Sequence, residues 1–137
     1  IEEVHGSQDK DISINFRCDD SMELNVNQAI PSGLILNELI TNAFKHAFTD
    51  QEKGLITVNV LTNELNKVII EVSDNGKGLP EEFIEGNMNS LGLTLIHQLT
   101  TQLNGELSME NADGGRVVIE FEKNERSGSS SQNFNFS

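Results

Sequence analysis

The stretch Asn37-Glu38-Leu39-Ile40-Thr41-Asn42-Ala43-Phe44-Lys45-His46 combines an apolar face with a polar stripe. A helix turns by about 100° per residue, so its polar side gathers four groups of different chemistry. They are Glu38, Asn42, Lys45 and His46. A carboxylate, an amide, an ammonium and an imidazole on one wall could address a divalent cation, phosphate oxygens and an aromatic ring. Taken alone, the pattern is more typical of an amphipathic helix whose polar side faces water.

A glycine-rich loop follows a predicted strand further along the chain. Asp74-Asn75-Gly76-Lys77-Gly78 comes directly after the apolar run 68–72. Two glycines let the backbone approach a ligand closely, and Asp74 could accept a hydrogen bond from an exocyclic amine. Asp-Asn-Gly is also a common turn, so the loop by itself leaves both interpretations open.

The segment Ser90-Leu91-Gly92-Leu93 opens a second predicted helix. The first turn of a helix presents N–H groups at the positive end of the dipole, where an anionic phosphate can bind. An ordinary helix start capped by Asn89 or Ser90 explains the same residues.

Strands and helices around these segments define the fold class. Ile12, Ile14 and Phe16 alternate with polar residues, which predicts a half-buried strand. Asn27 is the predicted N-cap of the first helix, which continues to about Phe48 with Pro31 in its first turns. Further strands are predicted at 55–61, 67–73, 106–110 and 116–123, a second helix at 90–103, and a short helical turn after Pro80. Since the helices fall between β-hairpins, we expect an α+β fold with a mostly antiparallel sheet covered by helices on one face.

Composition sets the domain limits and excludes several partners. The 137 residues suffice for one domain. We expect a linker at 1–10, the folded domain at 11–123 and a disordered, serine-rich tail at 124–137. The net charge of −13 disfavours nucleic acid and anionic membranes, and no apolar run is long enough for a membrane span. The single cysteine, Cys18, favours a reducing compartment, so we expect a cytoplasmic location.

In this order and spacing, the three segments closely resemble the nucleotide-binding module of histidine kinases, a superfamily shared with DNA gyrase, Hsp90 chaperones and MutL. Residues 37–46 are similar to the family's N box, 74–78 to its first glycine box and 90–93 to its second. The resemblance covers about residues 11–123. It implies a two-layer sandwich with a mixed sheet, the Bergerat-type ATP-binding fold, and the ligands ATP and Mg²⁺.

The resemblance also implies a role for each matching residue. Asn42 would ligate Mg²⁺, with Glu38 beside the metal and phosphates, and Lys45 would reach phosphate. His46 would pack against adenine, where the family often has tyrosine, and Asp74 would bind the adenine amine. Further residues would shape the pocket or lie under the phosphates; these are Gly76, Gly78, Leu91, Gly92 and Leu93.

Three departures from the family pattern stand out. Ser90 replaces a glycine that many relatives have, and only nine residues, 81–89, separate Pro80 from Ser90, which is a short lid. Arg116 stands where relatives usually place a threonine that holds adenine through water, and its charge could instead reach the nucleotide. The short lid is most similar to the compact catalytic domains of one histidine kinase subgroup.

The function implied is donation of the ATP γ-phosphate to a histidine on a separate helical dimerisation domain, which then serves a response regulator. None of the three histidines, His5, His46 and His97, has an acceptor context, so we expect the acceptor upstream. A serine kinase of the anti-sigma-factor type and a non-catalytic ATP-sensing module share the fold and remain alternatives. We expect the isolated chain to be a monomer.

Overall fold

The computed structural model describes residues 2–5, 10–20, 22–85, 91–124 and 133–135. In chain order its elements are β1 (Glu2–His5), β2 (Asp11–Cys18), β3 (Glu23–Asn25), α1 (Val26–His46), β4 (Lys53–Thr62), β5 (Lys67–Asp74), α2 (Glu81–Ile84), α3 (Leu91–Gln102), β6 (Glu106–Asn111), β7 (Gly115–Glu122) and β8 (Asn133–Asn135). No described helix is both long enough and apolar enough to cross a membrane.

Six of the strands form one mixed sheet in the order β1-β2-β4-β5-β7-β6. β2 and β4 are parallel, and every other neighbouring pair is antiparallel. Parallel neighbours need a crossover connection, and α1 lies in the connection between β2 and β4. The predicted α+β architecture with a mixed, mostly antiparallel sheet is therefore confirmed.

The core lies between one face of this sheet and the two long helices. Alternate strand residues face the helices and are almost fully buried, as strand geometry requires. They include Ile12, Ile56, Val58, Val68, Ile70, Val117 and Ile119. Ile35 of α1 and Ile96 of α3 pack against them and are also fully buried. The other sheet face carries polar side chains such as Asn59, Glu71 and Arg116, so helices cover one face only.

The first helix begins two residues earlier than the sequence predicted. Asn25, not Asn27, is the N-cap, and its side-chain oxygen accepts a hydrogen bond of 2.9 Å from the Asn27 N–H. The expected cap was wrong because β3 ends at Asn25 and Val26 is already helical. Pro31 is buried inside the helix, which continues past it to His46.

Both chain ends add strands that composition did not predict. Glu2–His5, which we placed in a linker, pairs with β2 as an edge strand of the main sheet. Asn133–Asn135, which we placed in a disordered tail, pairs with β3. Edge pairing uses backbone groups, so it needs no apolar side chains that composition would reveal. Residues 125–132, 136 and 137 of the tail lie outside the described residues, as do residues 86–89 of the lid and Ser90.

Candidate functional site

The polar stripe of α1 meets the start of α3 at Gly92. A Cβ placed on Gly92 would lie 2.5 Å from Oε2 of Glu38 and 3.7 Å from Nδ2 of Asn42. Any side chain at this position would therefore collide with the Glu38 carboxylate. Glycine allows the first turn of α3 to rest directly on two of the predicted site residues.

Asn42 is a buried amide without a complete set of partners. Its side chain is 7% exposed, and Nδ2 has no hydrogen-bond partner among the described residues. A buried polar atom left unpaired costs about 1–3 kcal/mol, so such an atom marks a place where a ligand can supply the missing contact. The amide can also turn and present its oxygen instead of its nitrogen.

These donors fit a magnesium ion that shares phosphate oxygens. Mg²⁺ usually takes only one or two protein ligands and fills its other positions with water and phosphate. One amide oxygen from Asn42, with the Glu38 carboxylate nearby, matches that pattern. Among the residues that the structure describes, no group of three or more histidine, cysteine, aspartate or glutamate side chains forms a self-sufficient metal site.

Asp74 is the last residue of β5, and Gly114 and Gly115 pack closely against it. It is 9% exposed, and its Oδ1 accepts a 2.9 Å hydrogen bond from the Gly76 N–H. A Cβ on Gly114 would lie 2.0 Å from the Asp74 carbonyl oxygen, and one on Gly115 would lie 2.7 Å from Asp74 Oδ2. A carboxylate has about four acceptor positions, so Asp74 retains capacity for an amine donor.

The loop after Asp74 is fastened to α1 and β4. The Lys77 N–H donates to the carbonyl oxygen of Ala47, which caps α1, at 2.8 Å. The Asn75 side chain accepts from the Leu55 N–H at 2.8 Å. A Cβ on Gly76 would lie only 2.0 Å from the Ala47 oxygen, so glycine is required for this close approach.

His46 lies at the end of α1 that meets this loop. It lines a cavity of about 280 Å³ together with residues 77–80 and Glu82. Because α1 reaches both places, one helix connects the Gly92 contact with the Asp74 loop. Lys45 is exposed in the last turn of α1 and is not among the residues that line this cavity.

The other predicted residues of the α3 start differ in exposure. The Leu91 side chain is 86% exposed, whereas Leu93 is fully buried in the core. The Leu93 side chain therefore supports the helix from the core, whereas Gly92 lies against the polar stripe of α1.

Arg116 does not take the suggested route to a nucleotide. It pairs in register with Ser73, whose side chain lies on the sheet face opposite that of Asp74. Its guanidinium donates to Glu71 at 2.5 Å and to Glu110 at 3.1 Å. The hydrogen bond to Glu71 raises the pKa of Arg116, so the guanidinium stays charged on the face that carries no helix.

One residue of the site went unnoticed in the sequence. Asn111 falls between the predicted strands 106–110 and 116–123, where the sequence assigns it no role, yet its side chain makes two hydrogen bonds to the backbone of Leu79. Nothing in the local pattern indicates this contact, because it joins segments that are distant in the chain.

Comparison with known proteins gives a consistent assignment. The family described as histidine kinase-, DNA gyrase B-, and HSP90-like ATPase matches residues 28–126. The chain is 32% identical over 109 residues to blue-light-activated histidine kinase 2 of Erythrobacter litoralis, covering 78% of this chain and 31% of that protein. It is 32% identical over 98 residues to the sensor histidine kinase PdtaS of Mycolicibacterium smegmatis, covering 70% and 19% respectively.

A solved structure shows the same architecture. The histidine kinase domain of the EL346 blue-light activated kinase from Erythrobacter litoralis superposes with a TM-score of 0.75 at 29% identity. The alignment covers 82% of this chain and 52% of that structure. In sequence, the chain spans less than a third of the length of the blue-light-activated kinase and of PdtaS.

Proposed function

Because this chain belongs to the histidine kinase-, DNA gyrase B-, and HSP90-like ATPase family, we propose that it binds Mg·ATP and donates the γ-phosphate to a histidine of a separate helical dimerisation domain. The observation that supports this most directly is the contact of Gly92 with Glu38 and Asn42. It joins a helix start suited to phosphate with an amide suited to a metal, as nucleotide binding requires.

The residues divide between the two ends of the nucleotide. Asp74 accepts the hydrogen bond of the adenine amine, and His46 packs against the base from the cavity that it lines with Gly78. At the other end, the first turn of α3 from Leu91 through Leu93 faces the phosphates. Gly76 holds the loop close to α1 and thereby shapes the pocket.

The catalytic part of the proposal concerns Glu38, Asn42 and Lys45. A bound Mg²⁺ would neutralise charge on the phosphate oxygens, which is the main electrostatic requirement of phosphoryl transfer. Asn42 is placed to hold the ion, and Glu38 is placed beside it to orient the bound water or phosphate. Lys45 is long enough and exposed enough to approach a phosphate from the end of α1. Lys45, a bound Mg²⁺ and the first turn of α3 would oppose the net charge of −13, which otherwise repels ATP.

The acceptor in this proposal is supplied by another domain. His46 lines the cavity, and His97 lies on α3, where its carbonyl oxygen accepts a hydrogen bond from Thr101. Neither is placed as a phospho-acceptor on a helical hairpin. We further propose that a response regulator receives the phosphate afterwards and that the reaction takes place in the cytoplasm.

The test is phosphotransfer in trans. The chain is mixed with Mg²⁺, γ-labelled ATP and a matching helical phospho-acceptor domain, and the chemical stability of the label identifies the modified residue. We expect an acid-labile, alkali-stable phosphohistidine on the added domain. An added domain whose acceptor histidine is replaced by glutamine is the control. Acid-stable label on a serine of the partner would replace this proposal with the serine-kinase alternative.

A further inference from the structure

Asn111 holds the second half of the glycine loop by its side chain. Its Oδ1 accepts from the Leu79 N–H at 2.9 Å, and its Nδ2 donates to the Leu79 carbonyl oxygen at 3.0 Å. The amide thus satisfies both backbone groups of one loop residue, as a neighbouring strand would. Asn111 itself is the last residue of β6 and pairs with Gly115 of β7.

The two halves of the loop are fastened differently. The first half is held by its own backbone and by Asn75, through bonds to Leu55 and Ala47. At Leu79, beyond Gly78, the backbone N–H and carbonyl oxygen both bond to the side chain of a residue in another hairpin.

Close packing makes the position of this amide specific. A Cβ on Gly78, whose φ is +93°, would lie 2.4 Å from Oδ1 of Asn111. The amide therefore lies directly against the Gly78 backbone. The same hairpin encloses Asp74 through Gly114 and Gly115, so Asn111 connects the loop to the structure that fixes the Asp74 carboxylate.

The residues that Asn111 fixes form one wall of the site. Gly78 and Leu79 line the 280 Å³ cavity together with His46. If Leu79 were free to move, this wall would have to become ordered when a ligand binds, which lowers affinity.

On the basis of the proposed function, we infer that Asn111 is a positioning residue that pre-orders the Gly78–Leu79 wall against the base of the bound nucleotide. Its effect belongs to the base end of the site, since its side chain bonds to Leu79 and lies against Gly78. Loss of the amide should therefore weaken adenosine, ADP and Mg·ATP by the same factor. Since both bonds are exposed to water, we expect a factor between about threefold and tenfold.

The experiment compares Asn111→Ala with a matched control in another hairpin. Asn63 accepts hydrogen bonds from the Leu65 and Lys67 N–H groups at 2.9 and 3.0 Å, between β4 and β5 and outside the site. Calorimetric titration gives the affinities, and hydrogen exchange reports the protection of the Leu79 amide. We expect Asn111→Ala to lower affinity for all three ligands equally and to speed exchange at Leu79, whereas Asn63→Ala changes neither.

A second variant covers the case in which Asn111→Ala does not fold. Asn111→Asp has the same shape and keeps the acceptor for the Leu79 N–H, but it loses the donor and places a charge near the Leu79 carbonyl oxygen. It should also bind adenosine more weakly while keeping more protection at Leu79 than the alanine variant.

Wild-type affinity in both variants, or an equal loss in Asn63→Ala, would overturn the inference. Failure of the wild-type chain to bind adenosine would overturn the proposed function as well. Hydrogen exchange at Leu79 would then still decide whether Asn111 orders the loop.

Discussion

At the scale of single residues, the proposed role of Asp74 depends on its carboxylate oxygens as hydrogen-bond acceptors. Asp74→Asn keeps the shape and can keep the bond from the Gly76 N–H, but it turns one acceptor oxygen into a donor. A mismatched buried partner costs about 1–3 kcal/mol, so we expect ADP affinity to fall by about fivefold to 150-fold while the fold is retained. Calorimetric titration measures the loss.

Asp113→Asn is the matched control for this change. Asp113 is exposed in the turn between β6 and β7 at φ +55°, a conformation that asparagine tolerates well. Its affinity should equal that of the wild type. Unchanged affinity in Asp74→Asn would remove Asp74 from the base site.

In the proposed site, Asn42 belongs to metal recognition and not to base recognition. Asn42→Ala should weaken Mg·ATP strongly and leave metal-free adenosine nearly unchanged, because its amide lies beside Gly92, at the proposed phosphate end. It also deletes a buried Nδ2 without a described partner, so thermal stability should not fall as it does for a satisfied amide. Titrations with each ligand measure the difference, and Asn37→Ala, an exposed neighbour on α1, is the control. Equal losses for both ligands would make Asn42 a purely structural residue.

The sequence predicted those residues whose position depends on local periodicity. Glu38 and Asn42 lie one turn apart on α1, so the helical repeat alone brings them together on the surface that Gly92 contacts. Asn111 could not be predicted, because its bond to Leu79 depends on how two distant hairpins pack. The direction of Arg116 depends on the register between β5 and β7, which the sequence alone does not supply.

At the scale of elements, α1 connects two parts of the site through contacts that require glycine. Gly76→Ala would place a Cβ 2.0 Å from the Ala47 oxygen and force the loop away from the helix end. We expect a loss of about 1–3 kcal/mol in the free energy of unfolding, together with weaker ADP binding. Chemical denaturation and titration measure the two effects.

Gly33→Ala is the opposite case on the same helix. A Cβ at Gly33 meets nothing within 4 Å, so alanine should stabilise α1 by about 0.5–1 kcal/mol without changing affinity. Destabilisation by Gly33→Ala, or tolerance of Gly76→Ala, would contradict this description of the helix contacts.

Element prediction succeeded where side-chain periodicity was strong. β4 and β5 alternate buried and partly exposed residues along most of their length, which the sequence shows directly. β1 and β8 are short edge strands whose pairing uses backbone groups, so their side chains gave no signal. The cap of α1 was misplaced because Asn25 and Asn27 are both suitable caps, and only the end of β3 distinguishes them.

At the scale of the whole molecule, net charge determines the expected behaviour in solution. The net charge of −13 makes copies of the chain repel one another, so we expect a monomer. We also expect no stable autophosphorylation and an ATP dissociation constant between micromolar and millimolar, about 4–8 kcal/mol of binding free energy. Light scattering measures the oligomeric state, and intact mass after incubation with ATP measures phosphorylation. Titration measures the ATP dissociation constant. A stable dimer, acid-labile phosphate on His5 or His97, or nanomolar affinity would each contradict the corresponding expectation.

The parallel pair of β2 and β4 has a consequence for the order of folding. β4 and β5 are joined by a tight turn and can pair early, whereas β2 reaches β4 only through a connection that contains all of α1. Pairings between distant segments form slowly, so we expect docking of β2 and placement of α1 to be a late, shared step. Because α1 carries Glu38, Asn42 and His46, we expect the proposed nucleotide site to form only when this step is complete. A bound nucleotide should therefore slow unfolding of the finished domain without accelerating its folding.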